Sequence, residues 1–389
     1  MTPSRFKQVS FPVLLQFQLV KTLLFGVLPF RYDSTTGQFR LSRLRMLYCY
    51  VSALAMPAIR LMVSTQQYGK QFDSLRMIVS AIAELTDDIR VLVANVLLVY
   101  EWKCLNELYG VFRHCFTRLD ISHVILWNPL ALGFLIDVAF VIIMSLDLML
   151  SPTLSPYKAF NVITYIFTVI NNCCIVHIFY LVLYCFRFVL TKLTVKLEQE
   201  LRSNFRRDKQ IRKLSLIYYK LYRASVIINY VFGLPILCGM MQVFLTISGL
   251  LYFTLVNGLI CGSFKTTETV SYLFGTIWNL LQLMQTAEAL RMCSHIYEQL
   301  NSTSNLLHRF NPNGDLKLKR RIDMLQVQMM HNPIRFTACG MYTLDFSVLF
   351  LIVASVMNYL IILVQFEVAN NCGQDSRNQV TDAGSMDLW

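Results

Sequence analysis

Three polar residues near the C-terminal end of the chain could carry ion or hydrogen-bond chemistry, Ser355, Asn358 and Gln365, and the apolar Ile362 falls on the same line. They are spaced three, four and three residues apart, so in a helix they lie on one face. Amide side chains inside hydrocarbon are costly unless they meet a partner or water. The line therefore predicts either a contact with another helix or one wall of a water-filled lumen between subunits, and spacing alone favours the contact.

A second polar group lies within seven residues of an otherwise apolar stretch: Glu84, Asp87, Asp88 and Arg90. Ionisable residues inside a membrane are functional candidates. One interpretation is an internal polar network, in which Arg60 or Arg90 neutralises the acids. The other is a counter-ion for an amine ligand. The network is favoured here, and the same two interpretations apply to Asp137 and Asp147.

Motifs for soluble catalysis are missing from the sequence. There is no phosphate loop, no His-Glu-x-x-His and no Cys-x-x-Cys pair. Cys293 and His295 lie close together, but two ligands do not make a zinc site. We expect no enzyme activity, no metal and no cofactor. The basic stretches 202–213 and 317–321 favour orientation signals and anionic lipid over nucleic acid.

The composition shows which elements must position these residues. Hydrophobic residues make up 55% of the 389 residues and charged residues 15%, whereas soluble domains carry roughly 25% charged residues. A helix of about 20 apolar residues spans the hydrocarbon core. Seven stretches qualify as spans: Met46–Val63, Met77–Tyr100, Val124–Leu150, Ala159–Leu190, Ala224–Ile260, Thr269–Leu290 and Phe346–Phe366. The sequence therefore predicts an all-α membrane protein.

An eighth apolar stretch, Phe11–Phe30, carries a polar stripe of Gln18, Lys21 and Thr22 at helical spacing. A stripe of this kind favours an interfacial or re-entrant helix over a span. Whether this stretch enters the membrane stays open.

The basic residues indicate the orientation of the spans. Of the 35 Lys and Arg residues, 27 fall in the N-terminal segment and in the second, fourth and sixth connections, against 4 on the opposite side. The asymmetry predicts a cytoplasmic N-terminus and an extracellular C-terminus. Cys261 and Cys372 then both lie outside, just beyond span ends, where they either form a disulfide or remain two unpaired thiols.

The last span carries a resemblance to a known family. Asn358, Tyr359, five hydrophobic residues and then Gln365 and Phe366 resemble the C-terminal signature of insect gustatory receptors, in which Thr-Tyr, five hydrophobic residues and Gln-Phe follow one another. The sequence departs from the signature at Asn358, where the family has Thr. The preceding stretch 336–346 is also similar to the family's approach to its last span.

The resemblance implies a tetrameric, ligand-gated, non-selective cation channel in the plasma membrane of chemosensory neurons. It implies that small-molecule tastants, in particular bitter or deterrent compounds, open the channel, and that the tetramer contains identical or related subunits. Pore-lining roles follow for five residues: Gln365, Phe366, Ile362, Asn358 and Ser355. With the family in view, the lumen is favoured over the helix contact. The cytoplasmic half of the split last span is expected near 316–332, in an anchor domain with extensions of the fourth to sixth spans.

The family's ligand pocket lies among the other spans, toward the outside. The corresponding part of this chain carries the candidate ligand-binding residues Trp278, Tyr272, Phe274, Gln282, Tyr252, Tyr165 and Asp147. An apolar pocket with a few placed polar groups is the usual small-molecule site. Trp278 and Tyr272 are the preferred pair.

The expected organisation has five parts. Residues 1–45 form a cytoplasmic N-terminal segment, 46–290 hold six spans and the ligand pocket, and 291–340 form the cytoplasmic connection with the anchor helix. Residues 341–367 form the pore-lining helix and 368–389 an extracellular tail. The alternatives are an odorant-receptor-type subunit, a secondary transporter and an inverted G-protein-linked receptor.

Overall fold

A computed structural model describes residues 21–33, 38–68, 75–121, 127–150, 156–202, 207–255, 266–310 and 315–383. The chain is helical throughout most of these ranges. In the described residues the helices are α1 (Arg43–Tyr68), α2 (Leu75–Tyr100), α3 (Trp102–Arg118), α4 (Trp127–Leu150), α5 (Pro156–Arg202), α6 (Arg207–Leu255), α7 (Thr266–Arg309), α8 (Leu316–His331) and α9 (Ser347–Ala383). Residues 21–24 form a further helical turn.

Two short antiparallel hairpins accompany the helices, a departure from the predicted all-α chain. The strand β1 (Phe30–Asp33) pairs with β2 (Gln38–Leu41), and β3 (Thr337–Ala338) pairs with β4 (Tyr342–Thr343). The turn of the second hairpin holds Cys339 and Gly340 at φ values of 52° and 73°, and glycine adopts such positive values without strain. This hairpin joins α8 to α9.

A helix lies at each of the seven predicted spans. By length and hydropathy, three segments in the described residues are long and apolar enough to cross a membrane: Val162–Arg202, Lys209–Tyr252 and Ser347–Phe366. The helices α5, α6 and α7 contain 47, 49 and 44 residues. At 1.5 Å per residue each is about 65–75 Å long, more than twice the hydrocarbon core. The excess length predicted for the fourth and fifth spans is thus observed, and α7 shares it.

The core lies along α5, which packs against α1, α2, α3, α4, α6 and α7. Leucine and phenylalanine side chains such as Leu183, Phe186 and Leu190 are fully buried there. Phe186 meets Phe336 edge to face at 5.3 Å, which fixes the α8–α9 connection on the bundle. This apolar packing holds the long helices in register.

The helix α8 begins and ends at sequence signals. The side chain of Asp315 accepts hydrogen bonds from the backbone N–H groups of Lys317 and Leu318 at 3.0 and 3.1 Å, which is the usual N-cap arrangement. The helix ends at His331, just before Pro333, whose ring restricts the residue in front of it. These bounds agree with the helix expected near 316–332.

The last helix starts at Ser347 and continues to Ala383. It therefore includes the predicted pore-lining stretch and continues into the predicted extracellular tail.

Candidate functional site

The last helix has two distinct faces. Val348, Ile352, Val356, Leu360 and Leu363 are buried, and α9 packs against α6. The five predicted pore residues are all exposed: Ser355, Asn358, Ile362, Gln365 and Phe366. The polar line is therefore left uncovered by the part of the subunit that the structure describes.

A cleft of 260 Å³ separates α6 from the first half of α9. Its walls include Met240, Met241 and Leu351, and Ser355 lies at its edge. The lining is almost entirely apolar. Ser355 therefore belongs both to the exposed polar line and to the boundary with α6.

Tyr252 lies beside the last helix rather than with the other ligand candidates. Its side chain is buried and packs in a cluster with Leu360, Leu363 and Tyr359. Nearby, the rings of Phe244 and Tyr359 are 5.8 Å apart. Its role in the outer ligand pocket, expected from its location along the span, stays a prediction; in the structure its side chain takes part in the α6–α9 contact.

Trp278 and Tyr165 meet through a residue that the sequence did not single out. The ring of Phe140 lies 4.2 Å from that of Trp278 and 6.4 Å from that of Tyr165. The guanidinium of Arg60 lies over the Tyr165 ring, 4.9 Å from its centre, within cation–π range. We call Trp278, Phe140 and Tyr165 the aromatic cluster. Phe140 looked like one apolar residue among many in its span.

Gln282 joins a buried chain of polar side chains. Its Oε1 accepts a hydrogen bond from Gln242 Nε2 at 3.1 Å, and Gln242 Oε1 accepts one from the Arg90 guanidinium at 2.5 Å. A Cβ at Gly239 would lie 2.9 Å from Arg90 Cζ, so the missing side chain makes room for the guanidinium. Arg90, Gln242 and Gln282 form what we call the polar layer, which connects α2, α6 and α7.

The acids of α2 belong to an internal network, as predicted. Asp88 pairs with Arg60 at 3.2 Å, and Asp87 accepts a hydrogen bond from Asn172 at 3.4 Å. Both carboxylates are buried. Arg60 is thus confirmed as a partner of this group, while the side chain of Glu84 lies outside the described residues.

Asp137 pairs with a residue from the N-terminal segment. The Lys21 ammonium lies 2.5 Å from Asp137 and 3.2 Å from His177 Nδ1. All three side chains are buried. The polar stripe of the N-terminal segment therefore faces the bundle at Lys21. Sequence reasoning missed this pairing, because 116 residues separate the two partners.

Several predicted residues lie outside the described side chains. These are Tyr272, Phe274, Asp147, Cys261 and Cys372. The preferred Trp278–Tyr272 pair and the disulfide therefore stay predictions. Within the part of the chain that the structure describes, no three His, Cys, Asp or Glu side chains are grouped to hold a metal ion.

Comparisons with known proteins agree with this architecture. Residues 15–370 match a family model described as 7tm Chemosensory receptor. The chain is 22% identical to the gustatory receptor for bitter taste 22e of Drosophila melanogaster, over 94% of this chain and 98% of that one.

Other relatives match over shorter stretches. The identity to the putative gustatory receptor 28a of the same fly is 28%, over 30% of this chain and 26% of that receptor's length. For the putative gustatory receptor 2a it is 25%, over 48% of both chains. The fold is similar to that of the insect olfactory receptor OR5 from Machilis hrabei in complex with eugenol, with a TM-score of 0.69 and 14% identity over 91% of this chain and 97% of that one.

Proposed function

The chain belongs to the 7tm Chemosensory receptor family, and from this premise we propose that it is a gustatory receptor acting as a ligand-gated, non-selective cation channel. The observation that carries the proposal is the exposed polar line of α9, from Ser355 to Gln365. In a tetramer, four copies of this face would surround one aqueous path along the central axis.

The chemistry of such a path is modest. Amide oxygens from Asn358 and Gln365 can replace part of the water shell of a passing cation, and a ring of apolar side chains can close a pore by dewetting. Ile362, 48% exposed between the two amides, is suited to that role. A ligand opens the channel only if it binds the open arrangement more tightly than the closed one.

Contacts between α6 and α9 offer a route for gating. Tyr252 and Phe244 of α6 pack against Tyr359, Leu360 and Leu363, which flank the polar line on α9. A movement of α6 would therefore displace α9. Because Gln242 of the same helix is hydrogen-bonded to Gln282 on α7, ligand binding near Trp278 has a physical connection to the pore helix.

Single-channel recording of Gln365→Ala tests the pore assignment. Removing four amides from a narrow path should change the unitary conductance or the block by large cations at least about twofold, because those oxygens contact the ion. The matched control is Gln326→Ala on α8, which makes the same chemical change away from the polar line. Unaltered conductance and block in Gln365→Ala would show that this face does not line the pore.

The tastant class and the cellular site are also proposals. Similarity to a bitter-taste receptor over 94% of the chain supports a bitter or deterrent role in the plasma membrane of chemosensory neurons. The 27-to-4 distribution of basic residues supports a cytoplasmic N-terminus. An N-terminal epitope that antibodies reach only after permeabilisation would agree with this orientation, and staining of intact cells would reverse it.

A second candidate is an odorant-receptor-type channel subunit, which is favoured by the fold shared with the olfactory receptor. The two candidates differ in the delivery of the ligand. Responses to a compound delivered as vapour, at concentrations at which the same compound in solution evokes no response, would favour the olfactory role. Expression with panels of dissolved tastants and calcium imaging tests the gustatory one.

A further inference from the structure

Residues 332–346, which we call the connector, join the end of α8 to the start of α9. We propose that Asn229 on α6 and Tyr297 on α7 are positioning residues for channel opening, because their side chains fix the connector, and with it the base of the pore helix, to the two neighbouring helices. The proposal rests on the channel function above and identifies where a movement of α7 reaches α9.

Two side chains hold the backbone on both sides of Phe336. The hydroxyl of Tyr297 accepts a hydrogen bond from the N–H group of Phe336 at 2.8 Å and donates one to the carbonyl oxygen of the same residue at 3.2 Å. The amide of Asn229 donates to the carbonyl oxygen of Arg335 at 2.8 Å and accepts from the N–H group of Thr337 at 3.0 Å. Four consecutive backbone groups are therefore bonded to α6 and α7, which ties this point of the connector to both helices.

The side chain of Phe336 fixes the same point from within the bundle. It is fully buried. Its ring meets Phe186 of α5 edge to face at 5.3 Å and stacks on the ring of Tyr297 at 6.2 Å. Aromatic pairs in these arrangements contribute beyond the area that they bury. Tyr297 thus holds both the backbone and the ring of Phe336.

A glycine lets the connector approach α6 closely. Gly233 follows Asn229 by about one helical turn. A Cβ at Gly233 would lie 3.0 Å from the backbone nitrogen of Cys339 and 3.5 Å from the carbonyl oxygen of Thr337. These neighbours are backbone atoms, which cannot turn aside as a flexible side chain can. The absence of a side chain at this position therefore allows β3 to reach the amide of Asn229.

The helix α7 holds both ends of the connector. Ser294 accepts a hydrogen bond from the N–H group of Phe346 at 3.1 Å, immediately before α9 begins at Ser347. Ser294 and Tyr297 are three residues apart and therefore lie on one face of α7. Trp278 lies on the same continuous helix, about 24 Å from Ser294 at 1.5 Å per residue. A displacement of α7 at Trp278 is thus carried to the first turn of α9.

The hydrogen bonds matter for this route because they are directional. Apolar burial is non-directional, so a connector held by burial alone could slide along α6 and α7 at little cost. Hydrogen bonds hold only within narrow limits of distance and angle. With the bonds in place, the base of α9 moves with α7. Without them, part of the movement would be lost in the connector, and opening would follow ligand binding less closely.

Tyr297→Phe tests this role with the least change in packing, since it removes the hydroxyl and keeps the ring. Single-channel currents are recorded with caffeine, coumarin and salicin, three neutral bitter compounds, as probes. We expect the half-maximal concentration to rise at least about fivefold, the lower end of ordinary coupling between sites, while the unitary conductance stays unchanged. Gly233→Ala should act in the same direction although it removes no side-chain hydrogen bond, because its Cβ would push β3 away from Asn229.

The matched control is Tyr218→Phe. The hydroxyl of Tyr218 donates a hydrogen bond to the carbonyl oxygen of Asn332 at 3.0 Å, at the α8 end of the connector. The substitution therefore removes a similar bond from the same neighbourhood, but outside the route from α7 to α9. It should change the half-maximal concentration less than twofold. An equal shift in Tyr218→Phe and Tyr297→Phe would overturn the proposal, because a general loss of stability would then explain both.

Hydrogen exchange of the full-length receptor in nanodiscs tests the attachment without currents. Backbone amides of 336–350 should exchange at least about fivefold faster in Tyr297→Phe than in the wild type or Tyr218→Phe, because the base of α9 is released. Unchanged exchange would overturn the proposal. Faster exchange with an unchanged half-maximal concentration would also overturn it, since the bonds would then serve stability alone. A wild type without any current, spontaneous or evoked, would refute the channel itself, and with it the role in opening, whatever the exchange rates.

Discussion

Removing the buried ammonium of Lys21 should destabilise the whole bundle. Lys21 and Asp137 lie 2.5 Å apart, and their side chains are only 6% and 11% exposed. In Lys21→Met the Asp137 carboxylate stays buried without its partner, which costs about 3–5 kcal/mol. With an unfolding entropy of about 2.1 cal/mol/K per residue, such a loss lowers the melting temperature of a chain this long by about 4–6 °C.

An exposed pair of the same residue types provides the control. Lys196 and Asp120 lie 3.5 Å apart, with side chains 33% and 85% exposed. A surface pair contributes at most about 1 kcal/mol, so Lys196→Met should shift the melting temperature by about 1 °C or less. The double variant Lys21→Met, Asp137→Leu removes both buried charges and should recover most of the lost stability, because the desolvation penalty disappears with the charge.

Fluorescence-detected size-exclusion chromatography after heating measures these differences in unpurified membranes. The expected order of melting temperatures places Lys21→Met lowest and the double variant close to the wild type. The reasoning is refuted if Lys21→Met has the same melting temperature as Lys196→Met, or if the double variant is as unstable as Lys21→Met.

Three further predictions concern single positions. Gly239→Ala places a Cβ 2.9 Å from Arg90 Cζ. It should therefore lose about 1 kcal/mol of stability, although alanine forms helices better than glycine. A Cβ at Gly110 has no heavy atom within 4 Å, so Gly110→Ala should gain about 0.5–1 kcal/mol in the same melting assay. Asp315→Ala removes the N-cap of α8 and should cost about 1 kcal/mol, measured as faster proteolysis of the 310–332 region. Burial raises the pKa of the Cys115 thiol to about 11 from 9.0. At pH 8 only about one thousandth of this thiol is then in the reactive thiolate form. Iodoacetamide should therefore label Cys115 about a hundredfold more slowly in the folded protein than in denaturant, as measured on the isolated peptide.

Helix positions followed from the sequence because they depend on local patterns. The run from Leu316 to His331 has a capping residue at one end and Pro333 just beyond the other, so both limits of α8 could be read locally. The polar line of α9 was predictable for the same reason, since a spacing of three and four residues fixes a helix face whatever surrounds it.

The contacts between helices could not be predicted from the sequence, because the residue spacing within one helix carries no information about the rotation of another helix. Tyr252 and Trp278 are both aromatic residues within predicted spans, and only the rotation of α6 places the first against α9. Lys21 looked like part of an interfacial stripe because charges usually seek water. Its partner Asp137 lies on a helix more than a hundred residues away, and pairing makes burial of both charges tolerable.

The amides on the exposed side of α9 support the proposed assembly of several subunits. The residues of one face, among them Val348 and Leu363, are buried, and the helix packs against α6 within the subunit. The other carries Asn358 and Gln365 in a segment apolar enough to cross a membrane. In an isolated subunit these amides would meet lipid, where each lacks hydrogen-bond partners and costs free energy. Copies arranged around an axis remove that cost by turning the polar line toward water. The requirement that stabilises the helix is therefore also the one that would create the conducting path.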